Sequence, residues 1–103
     1  GGDCVALIKP QFEAGKDQVG KKGIVRDPVV HKMVIEKIMT LAIKEGYQIA
    51  GLSYSPITGG DGNIEFLIHL KWSGAEGEGQ SLLDITPDEV IEDAHSQLKA
   101  KSE

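Results

Sequence analysis

The apolar positions of this chain fall into separate runs whose spacing changes from one to the next. Cys4 to Ile8 is unbroken and contains a β-branched pair, Val5 and Ile8, which predicts a strand buried on both faces, as in parallel sheets. The pattern then dissolves. Gln11 to Val25 mixes Gly15, Gly20 and Gly23 with lysines and predicts a loop, with one helical turn at Phe12–Asp17. Helical spacing follows: Val30, Val34, Ile38 and Leu41 or Ala42 form one stripe, widened by Ile35 and Met39. Asp27 is the expected N-cap and Pro28 the first helical residue; Lys44 suits the last turn and Gly46 the left-handed stop. These signals predict a helix over 28–45.

Tyr47 to Tyr54 predicts a second strand and Asn63 to Trp72 a third. The eight residues between them, Ser55 to Gly62, hold one proline and three glycines and predict a loop. Ser73 to Gln80 predicts a flexible Gly/Glu linker, and residues 73–103 form a linker and a C-terminal helix. Thr86-Pro87-Asp88-Glu89 is a capping box, and the helix it opens shows Val90, Ile91, Ala94 and Leu98 on one face and runs to about Lys99.

The order is β-α-β-β-α. A strand, a helix and a returning strand make a right-handed crossover, so the first two strands are expected to be parallel. The short second connection suits antiparallel pairing of the third strand, giving a small mixed α/β sheet. That polarity brings the end of strand one and the start of strand three to the carboxyl edge, where open α/β sheets bind ligands. Two ionisable residues then meet there: Lys9, followed by the rigid Pro10, and Glu65.

Composition narrows the classes. The chain has 103 residues, enough for one small domain, and 40% hydrophobic with 26% charged residues is the balance of a globular protein. No apolar run approaches the length needed to span a membrane. The single Cys4 excludes an intrachain disulfide, reads as a small apolar strand residue and fits a reducing, cytoplasmic setting. A net charge of −5 gives no support to nucleic-acid binding by bulk charge. The charge is uneven, however. Residues 9–26 carry Lys9, Lys16, Lys21, Lys22 and Arg26 against Glu13 and Asp17, whereas residues 74–103 carry eight acids against Lys99 and Lys101.

Each candidate has a plain reading beside a functional one. Lys9 and Glu65 are either a strand-edge ion pair or a reactive pair. Lys16, Lys21, Lys22 and Arg26 are either a solvated loop or contacts to RNA phosphates. Phe12 either packs under that loop or stacks on a base. His31, His69 and His95 are far apart in sequence and lack metal-ligand spacing, so no metal role is assigned.

Four colinear strings add a resemblance. Ala6-Leu-Ile-Lys-Pro-Gln-Phe-Glu-Ala-Gly15, Gly23-Ile-Val-Arg-Asp-Pro28, Ser55-Pro-Ile-Thr-Gly59 and Gly62-Asn-Ile-Glu-Phe-Leu67 resemble the hemolysin-A-type members of the FtsJ-like RNA methyltransferases, over roughly residues 1–72. The resemblance implies the C-terminal part of a class I, Rossmann-like methyltransferase fold, S-adenosylmethionine as cofactor, and methyl transfer to a ribose 2′-hydroxyl of ribosomal RNA. It also implies a Lys-Asp-Lys-Glu tetrad, with Lys9 in the third place and Glu65 in the fourth. The glycine-rich first loop, the acidic residue beyond it, and the first Lys and the Asp of the tetrad have no counterpart here. The chain therefore reads as a truncated or proteolytic piece, inactive alone and binding no cofactor. A non-catalytic RNA-binding or interaction module is the alternative. A membrane-active haemolysin is disfavoured by the negative charge and the lack of a basic amphipathic helix. The open edge of strand 4–9 is expected to self-associate or to be covered by the tail.

Overall fold

A computed structural model describes residues 3–13, 25, 27–56, 62–74 and 79–102. The elements are β1 Asp3–Ile8, α1 Pro10–Glu13, α2 Pro28–Lys44, β2 Tyr47–Tyr54, β3 Phe66–Trp72 and α3 Pro87–Ser102. The predicted punctuation is present. Asp27 caps α2 by accepting a hydrogen bond from the Val29 amide at 2.9 Å, and Gly46 ends it at φ 101°. Thr86 accepts from the Glu89 amide at 3.2 Å and donates to the Glu89 carboxylate at 3.2 Å, opening α3. A helical turn is present at Pro10–Glu13, and residues 14–17 of the turn predicted at Phe12–Asp17 lie outside the described residues. Proline starts a helix well because its missing N–H would be unpaired there in any case.

The sheet order is β1-β3-β2, and β3 is antiparallel to both neighbours. The antiparallel third strand is as expected. β1 and β2 run in one direction, yet β3 lies between them, so both strand pairings are antiparallel. A right-handed crossover fixes relative direction but leaves room for a later strand to insert.

The core lies on the face bearing Ile8, Phe66, Ile68 and Leu52, where Val30, Val34 and Ile35 of α2 and Val90, Ile91 and Ala94 of α3 close over it. α3 is therefore part of the core, with Leu98 also buried. The chain entering α3 is tied to the sheet as well. Ile49 donates to Gln80 at 2.9 Å and accepts from Leu82 at 2.8 Å, so residues 80–82 extend the sheet beyond β2. Gly79 makes the approach close: a Cβ there would meet the Tyr47 and Ile43 carbonyls and lie 2.7 Å from Ile43 Cα.

β1 departs from expectation in part. Its place at the sheet edge is as expected, but it is not buried on both faces: Val5 and Leu7 are 66% and 45% exposed. Period-two alternation sends Ala6 and Ile8 into the core and Val5 and Leu7 to the other side, which nothing among the described residues covers. Cys4 is exposed too, rather than a packed strand residue. No helix among the described residues is long and apolar enough to cross a membrane.

Candidate functional site

The last cross-strand pair of β1 and β3 is Ile8 opposite Phe66. Lys9 and Glu65 are the next residues of the two chain segments beyond that pair. β2 ends at the same edge, because the Ser55 amide donates to the Glu65 carbonyl at 2.9 Å, just beyond the Tyr54–Phe66 pair. Two strand ends and one strand start thus converge on Lys9 and Glu65, at the carboxyl edge of β1 and β2.

Lys9 is half-buried, and its carbonyl accepts from the Phe12 and Glu13 amides at 2.9 and 3.1 Å, starting α1. Its ammonium sits 5.8 Å from the centre of the Phe12 ring, within range of a cation–π attraction. Phe12 is 75% exposed. The packed reading of Phe12 therefore gives way to a ring that faces solvent beside the lysine.

Glu65 is 7% exposed. It forms no ion pair with Lys9: among the described residues the ion pairs are Lys32–Asp88 and His69–Asp3. Its carboxylate accepts instead from Gln11 Nε2 at 3.2 Å. The Gln11 carbonyl oxygen is buried and has no partner among the described residues. Sequence reasoning missed Gln11. Its only signal was its place two residues after Lys9, in a string whose lysine drew the attention.

The segment leading into α2 is pinned next to this edge. Asn63 is buried and its Oδ1 accepts from the Val25 amide at 2.9 Å. His31 binds the Val25 carbonyl through Nε2 at 3.0 Å, so both backbone groups of Val25 are held. Lys16, Lys21, Lys22 and Arg26 lie outside the described residues. Replacing Asn63 by leucine should leave the buried Val25 amide unpaired and cost about 1–2 kcal/mol. Urea denaturation measures this, with an exposed-site variant at Met33 as the control that leaves stability unchanged.

His31 also contacts His95, Nδ1 to Nε2 at 2.8 Å, and meets Phe66 edge-to-face at 5.4 Å. Two histidines 64 residues apart in sequence are thus joined by the packing of α2 on α3. A carbonyl only accepts, so His31 Nε2 carries the proton and Nδ1 accepts from His95. Burial, and then the neighbouring His95, lower the His31 pKa to about 4. Among the described residues no three His, Cys, Asp or Glu side chains converge as metal ligands.

At the edge the Lys9 ammonium donates and the buried Glu65 carboxylate accepts, a combination that suits a hydroxyl whose proton is leaving. It does not suit the adenosine and sulfonium of S-adenosylmethionine. The strand-to-helix turn after β1 is Lys9 and Pro10, with no glycine to let the backbone approach a ligand.

The chain is 58% identical over 101 residues to the Bacillus subtilis (strain 168) protein named "Putative rRNA methyltransferase YqxC", a match covering 98% of this chain and 36% of that protein. It is 39% identical over 69 residues to "16S/23S rRNA (cytidine-2'-O)-methyltransferase TlyA" of Mycobacterium tuberculosis (strain ATCC 25618 / H37Rv), covering 67% of this chain and 26% of that protein. A solved structure titled "Putative hemolysin from Streptococcus thermophilus" superposes with a TM-score of 0.89 at 43% identity, over 99% of this chain and 36% of that one. The chain thus spans about a third or less of the length of these relatives. The sequence profile of the FtsJ-like methyltransferases matches residues 3–72, from β1 through the Lys9–Glu65 edge to the end of β3, and the chain belongs to that family.

Proposed function

We propose that this chain is the C-terminal part of an S-adenosylmethionine-dependent rRNA ribose 2′-O-methyltransferase, and that it supplies Lys9 and Glu65 to the reacting centre. The observation that carries this reading is the placement of Lys9 and Glu65 directly beyond the last cross-strand pair, Ile8–Phe66, in a chain of the FtsJ-like family. When bound, S-adenosylmethionine supplies an electrophilic methyl group. The residues of this chain act on the acceptor. A ribose hydroxyl is a weak nucleophile at neutral pH; an ammonium beside it stabilises the negative charge that grows on oxygen as its proton leaves. Lys9 fills that role, and Glu65 orients the hydroxyl by accepting from it. Phe12 lies at the lip of the edge, and Lys16, Lys21, Lys22 and Arg26 contact RNA phosphates.

The cofactor pocket belongs to sequence outside this chain, so the isolated chain binds no S-adenosylmethionine and is inactive. The uncovered side of β1 fits the same reading, since Val5 and Leu7 await a layer that the rest of such a domain provides. In the isolated chain that edge self-associates. Sedimentation should show dimers or larger species that dissociate on Val5→Lys substitution; a monomeric unsubstituted chain at high concentration would contradict this. A protein acting on rRNA works in the cytoplasm.

The test uses the full-length protein carrying this sequence, with radiolabelled S-adenosylmethionine and ribosomal RNA. Label should enter RNA at a ribose, seen as a linkage resistant to alkaline hydrolysis. Label on a base, or none in RNA, would overturn the reading.

A further inference from the structure

We propose that Gln11 is a positioning residue for Glu65, holding its carboxylate at the sheet edge in the orientation the acceptor requires. This rests on the methyltransferase reading above. Glu65 is nearly buried, and a buried carboxylate is costly unless hydrogen-bonded or paired. No cation pairs with it among the described residues. Its described side-chain partner is the Gln11 amide, 54 residues away in sequence, at 3.2 Å. The orientation of that amide is determined by the contact itself. Turned over, it would set Gln11 Oε1 against Glu65 Oε2, acceptor facing acceptor.

A merely structural role for Gln11 explains less. Its Oε1 is buried and unpartnered among the described residues, a cost that an apolar side chain of the same volume would avoid only by taking the N–H donor away from Glu65. The arrangement makes sense where the N–H is needed and the carbonyl is tolerated. Gln11 is also well mounted for this task. The buried Pro10 precedes it, and the Lys9 carbonyl anchors α1 through two amides. Lys9 and the group that orients Glu65 therefore share one rigid turn. The distance between the lysine and the carboxylate is set by that turn rather than by a direct ion pair.

The experiment is a double-mutant cycle in the full-length protein, reading kcat, KM for RNA and thermal midpoint. Gln11→Met keeps the volume and removes the donor; its kcat should fall about tenfold or more with KM within about twofold, because a hydrogen bond to a charged group is lost while the surface that binds RNA is untouched. Gln11→Asn keeps an amide but loses reach, and should show the same kcat-only loss even if Gln11→Met folds poorly. In a Glu65→Ala background Gln11→Met should add nothing, since Gln11 acts through Glu65. A Gln11→Met enzyme with kcat within about twofold of the unsubstituted protein, or a loss that multiplies with Glu65→Ala, would overturn the proposal. If Glu65→Ala is itself fully active, the catalytic role of Glu65 falls and this inference falls with it. If Glu65→Ala is impaired and both Gln11 variants are not, the inference about Gln11 fails alone.

Discussion

Replacing Lys9 by alanine in the full-length protein carrying this sequence is expected to lower methyl transfer at least about a hundredfold, the usual cost of removing a donor aimed at developing oxyanion charge. The thermal midpoint should move little. Lys9 is half-buried, makes no ion pair with Glu65, and its described side-chain contact is the exposed Phe12 ring. Its carbonyl, which starts α1, survives the substitution. Arginine should rescue poorly, because a planar guanidinium on a longer stem cannot occupy the place of a compact ammonium. The measurement is single-turnover transfer at saturating RNA, which separates chemistry from binding. An alanine variant with near-normal single-turnover rate would remove Lys9 from the reacting centre. A variant with raised KM and unchanged kcat would make it an RNA contact instead.

Acid should weaken this fold through His31 by about 3 kcal/mol. His31 is fully buried and its pKa falls from the ordinary 6.5 to about 4, chiefly by burial and secondly by His95, with the Val25 carbonyl and Asp27 acting in the opposite direction. As pH drops through 6.5 the unfolded chain binds a proton that the folded chain refuses until about pH 4. Stability is therefore complete above the unfolded value, declines between the two, and levels off below the folded one. The structural reason is that His31 is fully buried, where a charge loses its hydration, with its Nδ1 2.8 Å from His95 Nε2. Urea unfolding of the unsubstituted chain and of His31→Gln measures this at pH 7.5 and pH 4. The glutamine variant should be the weaker at high pH, and the gap should narrow by about 3 kcal/mol on acidification. Carboxylates contribute equally to both chains and cancel in the difference. An unchanged gap would mean that His31 titrates normally, and that burial and His95 do not hold it neutral.

Local chemistry explains which parts of the molecule could be read in advance. Asp27, Pro28 and Gly46 delimit α2 because each acts on its own backbone, without help from distant residues. The Thr86–Glu89 box does the same for α3. The antiparallel direction of β3 follows from a connection too short to cross over. Lys9 and Glu65 could be brought to one edge from strand polarity alone. Gln11 could not be picked out, because its importance is a contact over 54 residues and its side chain has no periodic signature. The burial of β1 differs from expectation because an unbroken apolar run records what a strand is suited to, and covering both its faces takes layers that the described residues do not all provide.

The sequence by itself determined the elements, their order, the polarity of the sheet and the family. These depend on residues close together in the chain, or on strings matched one to one. Tertiary structure alone decided that β3 inserts between β1 and β2, that His31 meets His95, that Val25 is clamped from both sides, and that Glu65 is held by Gln11 rather than by Lys9. Those outcomes depend on which buried polar group finds which partner when the layers close. That choice is made by the geometry of packing, where an unpaired donor or acceptor costs as much as a hydrogen bond is worth, and no spacing along the chain records it.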